Sequence, residues 1–197
     1  MATFFTADTH FQDSGVIRMC RRPFGSADEM DRMLIELWNS RVRPGDTVWH
    51  LGDFSMRGKA ERVASIFHEL RGKKFLIRGN HDKRRVLELP WAEPPRDLAE
   101  ISVEGTRLVM AHYALRSWRG AFRGALQLYG HTHDLLPPTR QSCDVGVDSW
   151  AYAPVTLDEI KSRLAGVTVE LAGSPQAPPS LRRARLRERE RGPVDRA

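Results

Sequence analysis

The sequence predicts an α/β protein, a layered α/β sandwich in which two facing mixed β-sheets are flanked by helices. In the first half of the chain, short apolar or β-branched runs alternate with patterns of helical period. In the second half such runs follow one another directly, which indicates strands that pair without an intervening helix. Five of the runs end in Asp, Asn or His, and α/β proteins bind their ligands at such strand ends.

The first strands and the first helix are justified by simple patterns. Residues 2–7 and 47–51 are apolar or β-branched runs, and each predicts a strand. Between them, apolar residues recur at helical spacing over 26–43, with Ser26 as the N-cap and Glu29 three residues later.

A second helix and a third strand follow. The helix is predicted over 59–71 from an apolar stripe, and Gly72 stands where glycine commonly closes a helix. The strand is predicted over 75–78. Residues 83–98 contain three prolines and are predicted to be a loop without regular structure.

The second half is predicted to contain a hairpin, two further strands, one helix and a last edge strand. The hairpin turns at Glu104-Gly105-Thr106. The predicted ranges are 100–103 and 107–111 for the hairpin, 125–129 and 143–147 for the strands, 157–164 for the helix and 167–171 for the edge strand.

With 197 residues, of which 41% are hydrophobic and 28% charged, the chain is predicted to form one domain over residues 1–172. Residues 173–197 are predicted to be a disordered basic tail. From 174 to 197 there are seven arginines and three acidic residues, so this segment carries four of the six net positive charges. We favour a solvating tail, and a weak electrostatic contact with nucleic acid or another anion is the alternative.

Composition also argues against some classes of protein. No apolar run approaches the roughly 20 residues of a membrane span. The first residues lack the basic segment of a signal peptide, and Cys20 and Cys143 show no metal-binding or redox spacing. We therefore expect a cytoplasmic protein without a membrane partner, and the sequence leaves the oligomeric state open.

Five strand-end fragments carry the chemistry. The most informative is Gly79-Asn80-His81-Asp82, which places an amide, an imidazole and a carboxylate in consecutive positions. Five of the seven histidines lie in these fragments, and structural histidines have no reason to collect there. Carboxylate oxygen and imidazole nitrogen bind divalent metals, so the fragments predict a two-metal hydrolytic site. The other four are Asp8-Thr9-His10, Gly52-Asp53, Ala111-His112 and Gly130-His131-Thr132-His133.

The order of these motifs resembles the calcineurin-like metallophosphoesterase superfamily, whose pattern is D-x-H, G-D, G-N-H-D or E, H, and G-H-x-H. All five occur in order between Asp8 and His133. Residues 146–155 resemble the closing segment of small bacterial and phage members, and the resemblance extends to about residue 165. It implies the metallophosphoesterase fold, a metal-dependent phosphoric ester hydrolase activity and a phosphate-ester substrate.

The resemblance also implies two divalent metal ions and a division of the ligands between them. Asp53 is expected to bridge the pair, since a carboxylate has two oxygens. Manganese is the metal we expect, whereas iron, zinc, nickel and cobalt are alternatives because all of them accept nitrogen and oxygen ligands. The remaining ligands are Asp8, His10 and His133 for the first metal and Asn80, His112 and His131 for the second.

In the implied mechanism, a hydroxide that bridges the metals attacks phosphorus in line with the leaving oxygen. His81 is the predicted general acid, and Asp82 is predicted to orient it and to favour its protonated form. Arg57, Arg84 and Arg116 are predicted to contact the substrate. The residue before Arg57 departs from the pattern of the larger phosphatases, which have an aspartate there.

The predicted function is that of a phosphodiesterase acting on nucleotide-type substrates, with a nucleotide or nucleic acid as the binding partner. Two alternatives remain open. One is a phosphomonoesterase of small metabolites, and the other is a non-catalytic interaction scaffold, because some members of this fold bind protein partners and have lost catalysis. The catalytic histidine that the scaffold members lack is present here as His81, which favours an enzyme.

Overall fold

Eight strands and five helices occur in residues 1–171, the part of the chain that this computed structural model describes. In chain order the strands are β1 (Thr3–Thr6), β2 (Thr47–His50), β3 (Lys73–Leu76), β4 (Leu98–Val103), β5 (Thr106–Ala111), β6 (Leu126–Tyr129), β7 (Ser142–Asp144) and β8 (Val155–Thr156). The helices are α1 (Ser14–Met19), α2 (Ala27–Arg41), α3 (Ala60–Glu69), α4 (Arg84–Leu87) and α5 (Leu157–Ala165), with short 3-10 helices at Ala121–Arg123 and Val147–Ser149.

The strands form two four-stranded sheets. Their order is β3-β2-β1-β8 in the first sheet and β4-β5-β6-β7 in the second. In the first sheet β1, β2 and β3 are parallel and β8 pairs antiparallel with β1. In the second sheet β5, β6 and β7 are parallel and β4 pairs antiparallel with β5. Both sheets are therefore mixed, and the predicted layered α/β sandwich is confirmed.

The two sheets pack face to face through apolar side chains. Phe5 and Trp49 of the first sheet lie in the same buried cluster as Met110 and Leu128 of the second. Phe4 lies instead in a second cluster with residues of α2 and α3, because successive side chains of a strand point to opposite faces. The first sheet is thus buried on both faces, which explains why its strands are almost continuous apolar runs.

The parallel strands bring their carboxyl ends to one edge of the sandwich. In the first sheet the Asp8 N–H donates to the Gly52 carbonyl over 2.9 Å, which joins the loops that follow β1 and β2. An isolated parallel bridge between Ala7 and Gly146 joins the end of β1 to the chain that follows β7 of the second sheet. The strand ends of both sheets are therefore in direct backbone contact at this edge.

Some predictions of local structure are wrong. Residues 167–171 do not form an edge strand, although the Val169 carbonyl accepts a hydrogen bond of 2.8 Å from the Arg140 N–H. Residues 83–98, predicted to be irregular, contain α4 and the first residue of β4. No pattern predicted α1 or β8, because elements of six and two residues are too short to show a period.

The predicted basic tail, residues 173–197, lies outside the described residues. Leu171 is buried in one cluster with Val109 and Trp118, so the core extends at least to this residue. In the described part of the chain, no helix has both the length and the apolar character that crossing a membrane requires.

Candidate metal centre

All seven predicted metal ligands converge at the shared edge of the two sheets. Six of them form two groups, and within each group one ligand atom of each residue lies within 4.8 Å of those of the others. Asn80 joins the second group, since its Oδ1 is 2.9 Å from His112 Nε2. The first group is Asp8, His10 and His133, and the second is Asp53, His112 and His131.

The Asp53 carboxylate lies between these two groups. Its Oδ2 is 3.6 Å from His10 Nε2 and 3.4 Å from His112 Nε2. Two ligands bound at about 2.1 Å and at right angles on one metal are about 3 Å apart, so both distances suit ligands that share an ion. The other oxygen, Oδ1, accepts a hydrogen bond of 2.8 Å from the His81 backbone N–H. Oδ2, and not Oδ1, therefore faces a residue of each group.

Several buried polar atoms of the first group have no hydrogen-bond partner within residues 1–171. They are Asp8 Oδ1 and both ring nitrogens of His10, and neither side chain is more than marginally exposed. An unsatisfied buried donor or acceptor costs about 1–3 kcal/mol. A divalent cation would satisfy Asp8 Oδ1 and one nitrogen of His10 together, so this donor set fits a metal.

The contacts of His112 also fit a metal. Its Nδ1 is 2.8 Å from the Leu51 carbonyl oxygen, which can only accept, so Nδ1 carries a proton and donates it. In a neutral ring Nε2 then has a lone pair, yet it faces Asn80 Oδ1 at 2.9 Å and Asp53 Oδ2 at 3.4 Å. With the Asn80 amide in this orientation, three lone-pair atoms require a cation among them, either a proton or a metal ion.

Burial controls the ionisation of Asp8 and His10. It raises the pKa of Asp8 to about 8 and lowers the pKa of His10 to about 3. Burial also acts to raise the pKa of Asp53, but the hydrogen bond and charge of His112 outweigh it and hold this pKa at about 2. Metals bind ionised carboxylates and neutral imidazoles, so His10 and Asp53 are already in the ligand form and a cation would draw Asp8 into it.

The backbone is strained at most of these positions. Five of the seven residues have left-handed φ angles, in a region where non-glycine residues cost about 1–3 kcal/mol each. Such strain clusters at functional sites, where the surrounding structure maintains it. The angles are 56° at Asp8, 50° at His10, 58° at Asp53, 68° at His131 and 46° at His133.

Two motif glycines are required by close packing against the ligands. A Cβ atom at Gly79 would overlap the carboxylate and the backbone nitrogen of Asp53. A Cβ atom at Gly130 would lie 2.5 Å from Asp8 Oδ2 and 2.6 Å from the Cβ of Ala7. The glycines therefore allow the two carboxylates to reach their positions.

The contacts of Asp82 differ from the predicted ones. Its buried carboxylate accepts hydrogen bonds from the backbone N–H groups of Gly79, Asp53 and Phe54, at 2.8, 2.9 and 2.9 Å. No hydrogen bond joins this carboxylate to the His81 ring in the described structure, so its contacts do not support the predicted orienting role. Asp82 instead fastens the loop of Gly79 to the loop of Asp53.

Arg22 and Asp148, to which the sequence assigns no role, support the first group. The buried Arg22 guanidinium donates to both Asp148 carboxylate oxygens at 2.8 and 2.7 Å. It also donates to the carbonyls of Asp8 and Thr9, at 2.7 and 3.0 Å. Asp148 Oδ2 in turn accepts a hydrogen bond of 2.7 Å from His133 Nδ1. A carboxylate in this position orients a metal-binding imidazole so that its other nitrogen faces the metal.

The sequence contains a weak signal for Asp148 and none for Arg22. Asp148 lies in the segment 146–155 that the family resemblance covers. Arg22 is one of several nearby arginines, and from sequence alone an arginine is expected at the surface.

Cys20 also lies close to His133 and Asp148, and these three could form a further metal-binding group. Since Arg22 and His133 already share the Asp148 carboxylate, this group is less suited to a metal than the other two.

The metal centre opens into a pocket of about 920 Å³. The three arginines predicted to contact substrate do not line it. Arg57 and Arg84 are paired with neighbouring carboxylates at 3.2 and 2.7 Å, and Arg116 is exposed elsewhere on the surface. The arginine in the pocket wall is Arg21, which no sequence pattern singled out.

Two mixed sheets with carboxylate, amide and imidazole side chains at their common edge define a layered α/β protein with a candidate site for divalent metals. The chain belongs to the calcineurin-like phosphoesterase superfamily, whose domain matches residues 1–148. This family generally uses divalent metals and acts on phosphate esters.

Relatives in other organisms are similar over most of the chain. The uncharacterized protein MJ1445 of Methanocaldococcus jannaschii is 33% identical over 165 residues, which cover 80% of this chain and 88% of MJ1445. The Gene 66 protein of Mycobacterium phage D29 is 28% identical over 189 residues, 80% of this chain and 93% of its own length. The solved structure of AQ665 from Aquifex aeolicus, a protein of unknown function, has the same fold, with a TM-score of 0.65, 22% identity and coverage of 82% of this chain and 98% of AQ665.

We expect Gly79→Ala to lower the metal content of the purified protein, because the added methyl group displaces the Asp53 carboxylate. Metal analysis by mass spectrometry and thermal unfolding measure the effect. Gly45→Ala is the matched control, since its Cβ would meet no atom closer than Met1 Cγ at 3.8 Å. Wild-type metal content in Gly79→Ala would contradict the packing argument.

We expect Asp148→Asn to weaken one metal site selectively. Loss of the carboxylate behind His133 should reduce metal affinity in the first group about 10–100-fold, the usual effect of such supporting residues, and leave the second group near its wild-type affinity. Calorimetric titration with Mn²⁺ resolves the two binding events. Glu159→Gln, which removes the acid of the Arg41–Glu159 ion pair, is the control. Equal weakening of both sites would refute a role confined to the first group.

Proposed function

We propose that the protein is a dinuclear metal-dependent phosphodiesterase that hydrolyses nucleotide-type phosphodiesters. The observation that carries this proposal is the position of Asp53 Oδ2, 3.6 Å from His10 Nε2 and 3.4 Å from His112 Nε2. A carboxylate oxygen that faces two groups of ligands suits a pair of metals about 3.5–4 Å apart.

Asp8, His10 and His133 would hold the first metal, and Asn80, His112 and His131 would hold the second, with Asp53 shared. Bound there, two divalent ions would lower the pKa of water and stabilise negative charge on phosphoryl oxygens. The ligand atoms in this proposal are all oxygen or nitrogen, which manganese accepts as readily as iron, zinc, nickel or cobalt, and manganese is the metal we propose.

His81 is the proposed general acid. Its backbone N–H is held by Asp53 Oδ1, while its imidazole is 33% exposed and lines the pocket. The ring Nε2 is 4.0 Å from Asp53 Oδ2, so it lies beside the proposed metal ligands while the side chain remains partly exposed to the pocket. From this position the imidazole can donate a proton to the departing ester oxygen.

The charge of the pocket favours a diester over a monoester. Arg21 is the one basic side chain, apart from histidines, among the described residues that line it. A diester carries one negative charge, whereas a monoester carries close to two at neutral pH and is usually met by more cations. The volume of about 920 Å³ lies in the range of pockets for compact organic ligands, which includes nucleotides.

The direct test is a substrate panel with the metal-loaded full-length protein. The panel contains bis(p-nitrophenyl) phosphate, p-nitrophenyl phosphate, cyclic nucleotides and short oligonucleotides, each assayed with several metals. We expect higher kcat/KM for the diesters. A higher value for the monoester would identify a phosphomonoesterase, and no turnover of any substrate by the metal-loaded protein would identify a scaffold.

We expect Asp53→Asn to lose or disorder both metals, because Asp53 is the residue assigned to both ions. Metal stoichiometry of the purified variant measures this. Asp97→Asn is the control, since Asp97 is exposed and pairs with Arg78 at the surface. Two metals bound at wild-type affinity in Asp53→Asn would rule out the shared ligand.

We expect His81→Ala to keep both metals but to lose turnover by about 10²–10⁴-fold for substrates with a poor leaving group. The loss should be smaller for p-nitrophenyl esters, because nitrophenolate leaves with less help from an acid. The exposed His68 on α3 provides the control variant His68→Ala. An equal loss for both kinds of ester would assign His81 to phosphate positioning instead.

A further inference from the structure

Exposed apolar side chains gather at the mouth of the pocket. Met19, Leu135 and Leu136 line it and are 66%, 87% and 43% exposed. Met19 ends α1, whereas the two leucines follow the last motif of the metal centre, so separate parts of the chain contribute. We call these three side chains the apolar lip. Contiguous exposed apolar side chains beside a polar centre mark ligand-binding surfaces.

The two backbone segments that carry the apolar lip, one with Met19 and one with Leu135 and Leu136, are anchored next to the metal centre. Arg22, three residues after Met19, is buried and donates to the Asp8 carbonyl at 2.7 Å. On the other side, the Leu135 N–H donates to the Thr132 carbonyl at 2.9 Å, within the chain that carries the metal ligands of the first and second groups. Side chains presented from anchored backbone lose little conformational freedom on binding a ligand.

Arg21 adds one positive charge to this wall of the pocket. Its backbone has a left-handed φ of 53°, and its side chain is exposed. Within residues 1–171 the Arg21 guanidinium forms no ion pair and no side-chain hydrogen bond, so it is available to a phosphate oxygen. The wall therefore presents one cation next to an apolar surface.

We propose that the apolar lip binds an aromatic ester group of a phosphodiester while Arg21 faces the phosphate. The substrate class is then a phosphodiester with at least one planar apolar arm, such as an aryl group or a nucleobase. This inference rests on the proposed phosphodiesterase function. Methionine sulfur makes favourable contacts with aromatic rings, which favours an aromatic arm over an alkyl chain beside Met19.

The experiment measures the binding of three slowly hydrolysed diesters to the metal-loaded full-length protein by competition with bis(p-nitrophenyl) phosphate. The probes are dimethyl, diphenyl and dihexyl phosphate, which share one negative charge and differ in their arms. We expect diphenyl phosphate to bind about tenfold or more tightly than dimethyl phosphate, a difference typical of a few added carbon atoms in an apolar pocket. Dihexyl phosphate should bind more weakly than diphenyl phosphate.

The double variant Met19→Ser, Leu135→Ser should lose most of the preference for diphenyl over dimethyl phosphate and leave the binding of dimethyl phosphate unchanged. Met33→Ser, an exposed methionine on α2 outside the pocket, is the control and should keep the preference. Arg21→Gln should weaken all three probes by a similar factor. Metal content and thermal unfolding of each variant should match the wild type, because the substituted side chains are exposed.

Four outcomes would overturn the inference. Equal binding of the three probes to the wild type, or a preference that the double variant retains, would remove the role of the apolar lip but leave the proposed function intact. Tighter binding of dihexyl than diphenyl phosphate would show that the apolar lip prefers an alkyl ester group to an aromatic one. Failure of every diester to bind or react would refute the proposed function and this inference with it.

Discussion

The Asp53 carboxylate is held by groups from both sheets at once, and the rest of the site depends on its position. Oδ1 accepts the His81 N–H, and Oδ2 faces His10 and His112. Asp53 follows β2 of the first sheet, whereas His112 follows β5 of the second. Each group of ligands combines residues from both sheets, so the geometry within each group depends on how the sheets pack. The apolar core between the sheets, far from the chemistry, thus controls the geometry available to two metals.

Bringing these ligand residues together costs folding free energy when no metal is bound. Five ligand residues have left-handed backbone, and Asp8 and His10 bury polar atoms without partners in the described structure. These features each cost stability of the order of kcal/mol, so the fold must offset them with its two apolar layers and with ligand binding. A metal that binds the folded arrangement and not the dispersed residues of the unfolded chain would contribute directly to the stability of this edge.

The sequence predicts which side chains meet at the shared edge of the sheets, whereas it predicts their supporting residues poorly, and the reason is physical. Asp8, Asn80 and His131 can be identified because each motif joins a strand end to a metal-binding side chain within a few residues. Arg22 acts through hydrogen bonds to residues up to 126 positions away, and no local pattern encodes such contacts. For the same reason the long helices are predicted correctly, whereas the two-residue β8, which exists through pairing with β1, is not.

Arg22 connects metal binding with the shape of the pocket. Its guanidinium orients His133 through Asp148, and its backbone directly follows Arg21 in the pocket wall. A buried guanidinium with this many partners has one arrangement, since breaking part of the network leaves a charge without compensation. The position of His133 in the first group and the position of the wall that contains Met19 therefore depend on the same buried network. By contrast, Met19 and Leu135 project from this framework into solvent, so their side chains can change without disturbing the ligands. Variation in substrate preference within such a fold can therefore arise at the rim of the pocket while the metal chemistry beneath it stays the same.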